Sequence, residues 1–402
     1  MSTTTAVRTT NRHLTGFWFV ATAFLTLMAF GTAPTPLWPI YQVTDHFGAF
    51  TVTVAFAVMV IGAASSFRLL GHLSDRFGRR RIILPALATG IASAAVLAAW
   101  PQLPGLLIGR ILTGVAVGLM ASTATVYLTD LYREVRPDAG SGFPALVATV
   151  SNLGGLAIGP LVAGALAQWA PAPVRTSYVI FGGLMVVLLL LVLTSPETVD
   201  TALADQDRPV RFAVRAGQRG AFWSAATLGF FAFAVMGLFS SLGAIIVRGQ
   251  LGITSYFVAG LASFVCFAAS AVTQLALRRA ANPTVLLIGT VMFPVGLALT
   301  ALSLYRPALW LVLVAAGLAG GGAGLLFKSA VVTAVVAAEP ASRAGVLATY
   351  FVIAYVGMGL PSIAFSLVIR HFALRPSMIG FAAVLSIGAV IAASQSVKKK
   401  TT

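Results

Sequence analysis

The sequence predicts an all-α integral membrane protein of twelve spanning helices, divided six and six. Three observations predict it. Of the 402 residues, 58% are hydrophobic and only 9% are charged, whereas a soluble domain is about 25% charged. Cut at every Asp, Glu, Lys and Arg, the chain leaves twelve long uncharged stretches, each near the roughly 20 residues that cross a bilayer as a helix. The longest polar segment, 197–219, falls between the sixth and seventh stretches. A membrane β-barrel is excluded, because its strands alternate in polarity over about 10 residues and these runs are apolar on all sides.

The spans follow in order. The first, 13–44, comes after a polar segment with Arg8 and Arg12. No small-residue cleavage site follows a short apolar core, so the span reads as retained rather than as a signal peptide. It ends on Pro34, Pro36 and Pro39, which break the helix, with Trp38 and Tyr41 among them. These two rings suit either an interfacial belt or a gate. The uncharged stretches of spans two to six are 46–67, 82–109, 111–129, 139–174 and 176–196, with span four running from about Pro104 through Arg110. Spans seven to twelve cover 220–247, 249–277, 280–305, 307–336 (running on through Lys328), 344–369 and 376–397. This gives an N-terminal bundle over 1–196, a linker over 197–219 and a C-terminal bundle over 220–402. The Arg-rich end of the linker reads either as a short amphipathic piece on the membrane surface or as a solvated connector.

The net charge of +16 comes from 26 Lys and Arg against 10 Asp and Glu. On a soluble protein that excess suggests nucleic acid; here it sets orientation. With the N-terminus inside, 18 of the 26 cations fall in inside segments, 5 outside and 3 within spans. The excess predicts a multi-pass protein of the cell's inner membrane with both termini cytoplasmic, whose partner is the lipid bilayer and not nucleic acid.

Three motifs carry mechanism. Between spans two and three stands Gly71-His-Leu-Ser-Asp75-Arg76-Phe-Gly78-Arg79-Arg80-Arg81, a tight hairpin whose glycines allow unusual backbone and close approach. Span four carries Arg110, then Gly114 and Gly118 at helical spacing for close packing. Span five carries Gly155, Gly159, Pro160 and Gly164, where proline kinks the helix and glycines let it pack. The first motif resembles the signature of the major facilitator superfamily of secondary transporters. That resemblance implies two six-helix bundles related by a pseudo-two-fold axis, alternating access, and a loop acting as a conformational latch. In such a latch Asp75 meets the end of the eleventh helix, and the loop's Arg meets an acid near the end of the fourth: Asp130, or else Glu134. The span-four Arg is implicated there in proton transfer or substrate binding. The span-five motif is similar to one associated with exporters, although Leu146 and Ala163 stand where it has glycines.

Charges within the spans are costly and point to function. Arg110 lies roughly 9 Å into span four and Lys328 on the order of 16 Å from the nearer end of span ten. Both are expected at a substrate or proton cavity, together with Asp45, His46, Trp38 and Tyr41; Arg68 is expected to be structural. Gly320, Gly321, Gly322 and Gly324 are expected to loosen the helix before Lys328. Of five Phe in span seven (222, 230, 231, 233 and 239), most are expected to face lipid or the core.

No acid lies at mid-membrane depth, which favours a neutral, zwitterionic or anionic substrate over a cation. No phosphate-binding loop is present. Four scattered His and a lone Cys266 offer no metal or nucleophilic centre, so neither an enzyme nor a cofactor is expected. The expected function is secondary transport by alternating access, in the form of proton-coupled efflux of small amphipathic compounds by a monomer. An importer or exchanger of small organic anions is the alternative.

Overall fold

The computed structural model describes residues 2–70, 73–138, 140–199 and 212–398. Among them twelve helices are long and apolar enough to cross a membrane. The first six are α1 (Asn11–Thr44), α2 (Ala49–Leu69), α3 (Arg79–Ala99), α4 (Leu103–Val135), α5 (Gly142–Trp169) and α6 (Pro173–Leu193). The second six are α7 (Arg219–Ser241), α8 (Tyr256–Ala276), α9 (Asn282–Ser303), α10 (Leu309–Ala337), α11 (Gly345–His371) and α12 (Leu374–Ser396). A helix satisfies all its own backbone groups, which lipid cannot do for it. The only β pairing among the described residues is a single bridge, Val214 to Ala338.

Two spans are interrupted. Proline lacks an N–H and stops the ladder. In α1 the α-helix accordingly ends at Thr32, a 3-10 turn covers Thr35–Leu37, and a short helix, Trp38–Thr44, completes the span. In α5 one π turn, Val150–Gly154, precedes the glycine–proline motif. Pro160 cannot donate to the carbonyl of Leu156, four residues earlier. The Thr32 hydroxyl donates to that carbonyl instead, at 2.9 Å.

Small residues set the helix spacing, since lipid supplies no hydrophobic drive between helices. A Cβ on Gly114 would stand 2.0 Å from the Met59 carbonyl oxygen and one on Gly159 2.2 Å from that of Ala29, so α4 lies against α2 and α5 against α1. A Cβ on Gly260 of α8 would stand 2.6 Å from the Pro160 oxygen, which brings α5 against α8. The glycine run of α10 does not loosen it. The helix is continuous, and Gly320, Gly322 and Gly324 seat it on Cys266, Phe293 and Ser270.

Helices α1–α6 pack chiefly on one another, as do α7–α12, and the two groups meet along α2 against α11 and α5 against α8. The hairpin between α2 and α3 defines one face of the molecule, called here the loop face; Asp45 lies at the other, the far face. Residues 200–211 of the linker lie outside the described residues. Its end docks on the C-terminus of α10, where the Arg215 backbone N–H donates to Ala337 and its Nε to Ala338. A cation there complements the helix dipole.

Candidate functional site

The signature loop is built around the start of α3. Gly78 precedes it with φ +101° and ψ 150°, a conformation essentially confined to glycine that costs other residues about 1–3 kcal/mol. The next two amides, of Arg79 and Arg80, donate to the two carboxylate oxygens of Glu197 at 2.8 and 3.1 Å. A carboxylate at a helix N-terminus meets unpaired N–H groups and the positive end of the dipole. A Cβ on Gly78 would sit 2.5 Å from Glu197, so glycine is required twice over. The Arg79 side chain stands 3.3 Å from Asp130 of α4 and 2.9 Å from the Ser74 hydroxyl. Arg80 donates to the Ser195 carbonyl at 2.8 Å, and the Tyr127 hydroxyl of α4 donates to that of Pro196. The loop is thereby tied to the ends of α4 and α6. Arg76 is exposed; Gly71 and the side chain of Asp75 lie outside the described residues. Of the two acids considered for Arg79, Asp130 is the one in contact. Glu197 was read as linker. The hint available was an acid directly after a helix C-terminus, where its own helix disfavours it.

Between the two halves lies a cavity of about 510 Å3 that reaches the loop face, where Arg68, Ser74 and Arg79 line it. Its body is apolar. Phe67, Phe233, Phe267, Phe327, Phe351 and Tyr355 line it with Met28, Met59, Met236 and Met358. Five of the rings, all but Phe267, touch one another. Phe67 of α2 stacks on Phe351 of α11 at 4.9 Å, Phe233 meets Phe327 at 5.3 Å, and Tyr355 stands edge-on to Phe233 at 5.6 Å. The polar lining beyond the mouth is Thr32, Ser122, Thr125 and Asn152, plus Tyr355; no Asp or Glu among the described residues is included. Of the five span-seven phenylalanines, Phe233 alone is at the cavity. Arg68, expected to be structural, lines the mouth.

At the far face the halves are joined. Ser240 lies in the last turn of α7, where carbonyls lack helical partners. Its carbonyl accepts from Thr35 and from the Trp38 indole N–H, at 3.1 and 3.0 Å. Thr53 and Ser366 hydroxyls meet at 2.8 Å across α2 and α11. The Tyr256 amide donates to Gln168 at 2.9 Å across α5 and α8. Trp38 and Tyr41 are each 1% exposed, so they form no interfacial belt; both sit inside this closure, with the Tyr41 hydroxyl 3.2 Å from that of Tyr178.

None of the six residues expected at the cavity lines it in this conformation. Arg110 is the nearest in kind. It is 1% exposed and reaches from α4 to the Gly31 carbonyl at 3.1 Å and the Met59 sulfur at 2.8 Å. Gly31 and Met59 themselves line the cavity. Its guanidinium also stands 5.8 Å from the Trp38 ring, and its Nε has no partner. Lys328 turns away from the cavity. Its ammonium donates to the carbonyls of Gln274 and Leu277, at 3.3 and 2.7 Å, and so caps the C-terminal end of α8. A long, flexible Lys finds such carbonyls at membrane depth because they are the acceptors available there. Asp45 and His46 stand at the far end of α1, with His46 exposed at φ +56°.

The architecture is a twelve-helix membrane bundle with a central cavity, open at one face and closed at the other. The chain belongs to the Major Facilitator Superfamily, whose family model matches residues 18–360. It is 38% identical over 92 residues to the glucose transporter GlcP of Staphylococcus epidermidis, covering 23% of this chain and 21% of that one. It is 27% identical over 139 residues to the bacillibactin exporter of Bacillus subtilis, covering 33% and 34%. With the class G tetracycline resistance protein of Vibrio anguillarum it shares 30% over 126 residues, covering 31% and 30%. The matched stretches thus span about a fifth to a third of these relatives. Among solved structures, the nucleoside transporter NupG superposes with a TM-score of 0.72 at 16% identity, covering 96% of this chain and 99% of that one. A POT family transporter in complex with 5-aminolevulinic acid gives 0.76 at 14%, covering 96% of both. At these identities the likeness is one of fold.

Proposed function

We propose that the chain is a secondary transporter that carries small amphipathic aromatic compounds from the loop face to the far face by alternating access. The observation that supports this is the cavity, whose walls are six aromatic rings and four thioethers. Its volume lies in the range of small-molecule sites, and such walls accept varied apolar ligands. The cation excess supports a cytoplasmic loop face; on that reading the present state is inward-open and the membrane is the cell's inner one. The cavity is complete within one chain, which supports a monomer. Outward movement is supported by the α5 glycine–proline pattern and by the exporter among the relatives; the glucose transporter speaks for the opposite direction. Among the described residues no Asp or Glu lines the cavity, so its walls offer a coupled proton no carboxylate.

A second reading, exchange or import of organic anions, is favoured by Arg110. A buried guanidinium with no carboxylate partner is a site for an anion's charge.

Thermal stabilisation of the purified protein tests both. Neutral naphthalene derivatives and 2-naphthoate are expected to raise its melting temperature, while glucose and lipophilic cations leave it unchanged. Stabilisation by glucose alone would overturn the proposal. Accumulation of 2-naphthoate in proteoliposomes that a protonophore abolishes is the expected sign of proton coupling.

A further inference from the structure

The cavity is polar on one side only. Every polar side chain that lines it comes from α1–α6 or the loop between α2 and α3, with Tyr355 as the exception. The wall from α7–α12 is otherwise made of rings, thioethers and aliphatic groups. Within the polar wall the hydrogen-bonding capacity is unevenly spent. Thr32 donates to Leu156 and Ser122 to Leu119, so both hydroxyl protons are already used on backbone. The amide of Asn152 has no hydrogen-bond partner among the described residues, and it is half-buried and faces the cavity. It also sits at the centre of the π turn, Val150–Gly154. The π-helix is rare, and its single turns within α-helices fall frequently at functional sites. An unpaired amide at a membrane cavity is costly unless a ligand or water completes it.

We propose that Asn152 is the specificity-determining residue for the polar end of the transported compound, whose aromatic body lies against α7, α10 and α11. This rests on the aromatic-compound reading above. A carboxamide presents both N–H donors and a carbonyl acceptor. Its best match is a neutral head that also does both, a carboxamide or a hydroxyl. A site built to hydrogen-bond such a head rejects the analogue that lacks it, because the protein's own group is then left unpaired.

Three probes that share one ring system separate the outcomes: 2-naphthamide, 2-methylnaphthalene and protonated 2-naphthylmethylamine, each titrated against the purified protein in detergent. The unaltered protein is expected to favour the amide over the methyl compound by about tenfold, the scale of one hydrogen bond. Asn152→Leu is expected to remove that preference while binding of the methyl compound stays the same. Asn152→Asp keeps the shape and changes the charge, and is expected to shift the ranking toward the amine. An amide preference that survives in Asn152→Leu overturns the assignment. If that variant does not fold, an unchanged ranking in Asn152→Asp overturns it. Binding of all three probes with ratios untouched by either variant refutes the role of Asn152 and leaves the aromatic cavity standing. Binding of none of them by the unaltered protein refutes the cavity reading, and this inference with it.

Discussion

Glu197 shows how one side chain can hold two elements. Its carboxylate closes the start of α3, far along the chain from its own position, and it does so only because Gly78 leaves room. Glu197→Gln is expected to lower stability by about 1 kcal/mol, the scale of a lost charged cap. Gly78→Ala, which adds both strain and a clash, should lower it by about 1–3 kcal/mol. Thermal melts of the purified protein in detergent measure both, and a Gly78→Ala protein as stable as its parent would contradict the geometry. Arg110 should behave in the opposite sense. Its partners are one carbonyl, one thioether and an indole face, so the buried charge is poorly compensated. Replacing such a charge by an apolar residue is often neutral or stabilising. Arg110→Met is therefore expected to melt no lower than the parent while losing 2-naphthoate binding. A large drop in melting temperature with binding retained would make Arg110 structural. Arg79 was legible as a motif position, and Asp130 only as one of two acids the resemblance implied for it; packing brings Asp130 within 3.3 Å. Glu197 was not legible, since its partners lie 118 and 117 residues away. Lys328 shows the same limit: its depth follows from counting residues, but the acceptors it turns to on α8 depend on packing.

At the scale of the element, α5 gathers most of the design. Its glycines place α1 on one side and α8 on the other, its proline frees a carbonyl that Thr32 takes up, and its π turn carries Asn152. The glycines and Pro160 were plain in the sequence as a packing kink. The π turn was not, because no residue type marks it. Thr32→Val keeps the volume and removes the hydroxyl, leaving the Leu156 carbonyl unpaired. The expected cost is about 1–3 kcal/mol, the desolvation of an orphaned buried acceptor, read as a lower melting temperature. Pro160→Ala in the same chain restores a backbone donor for Leu156 and is expected to recover most of that loss. No recovery would mean that the Thr32 hydroxyl matters for something other than this carbonyl.

At the scale of the whole molecule, the twelve spans could be read from the spacing of charges between apolar stretches. What the sequence did not reveal is which side chains meet at the centre. In a chain this apolar, a phenylalanine facing lipid and one facing a cavity look alike, so Phe67, Phe327 and Phe351 carried no signal. The closure at the far face is equally long-range: Thr53 and Ser366 are 313 residues apart. Those two hydroxyls also offer the most direct test of alternating access, one that needs no known substrate. In a Cys266→Ala background, Ala121→Cys places a thiol in the cavity wall. Adding Thr53→Cys and Ser366→Cys allows a disulfide to lock the far face. An impermeant thiosulfonate reagent is then applied to proteoliposomes from either side. Without the lock, the thiol at position 121 should be modified from both faces, because the cavity opens to each in turn. With the disulfide formed, modification should persist from the loop face and cease from the far face, and a reductant should restore it. Modification from the loop face alone in the unlocked protein would contradict the account, since the cavity would then be a pocket that never crosses.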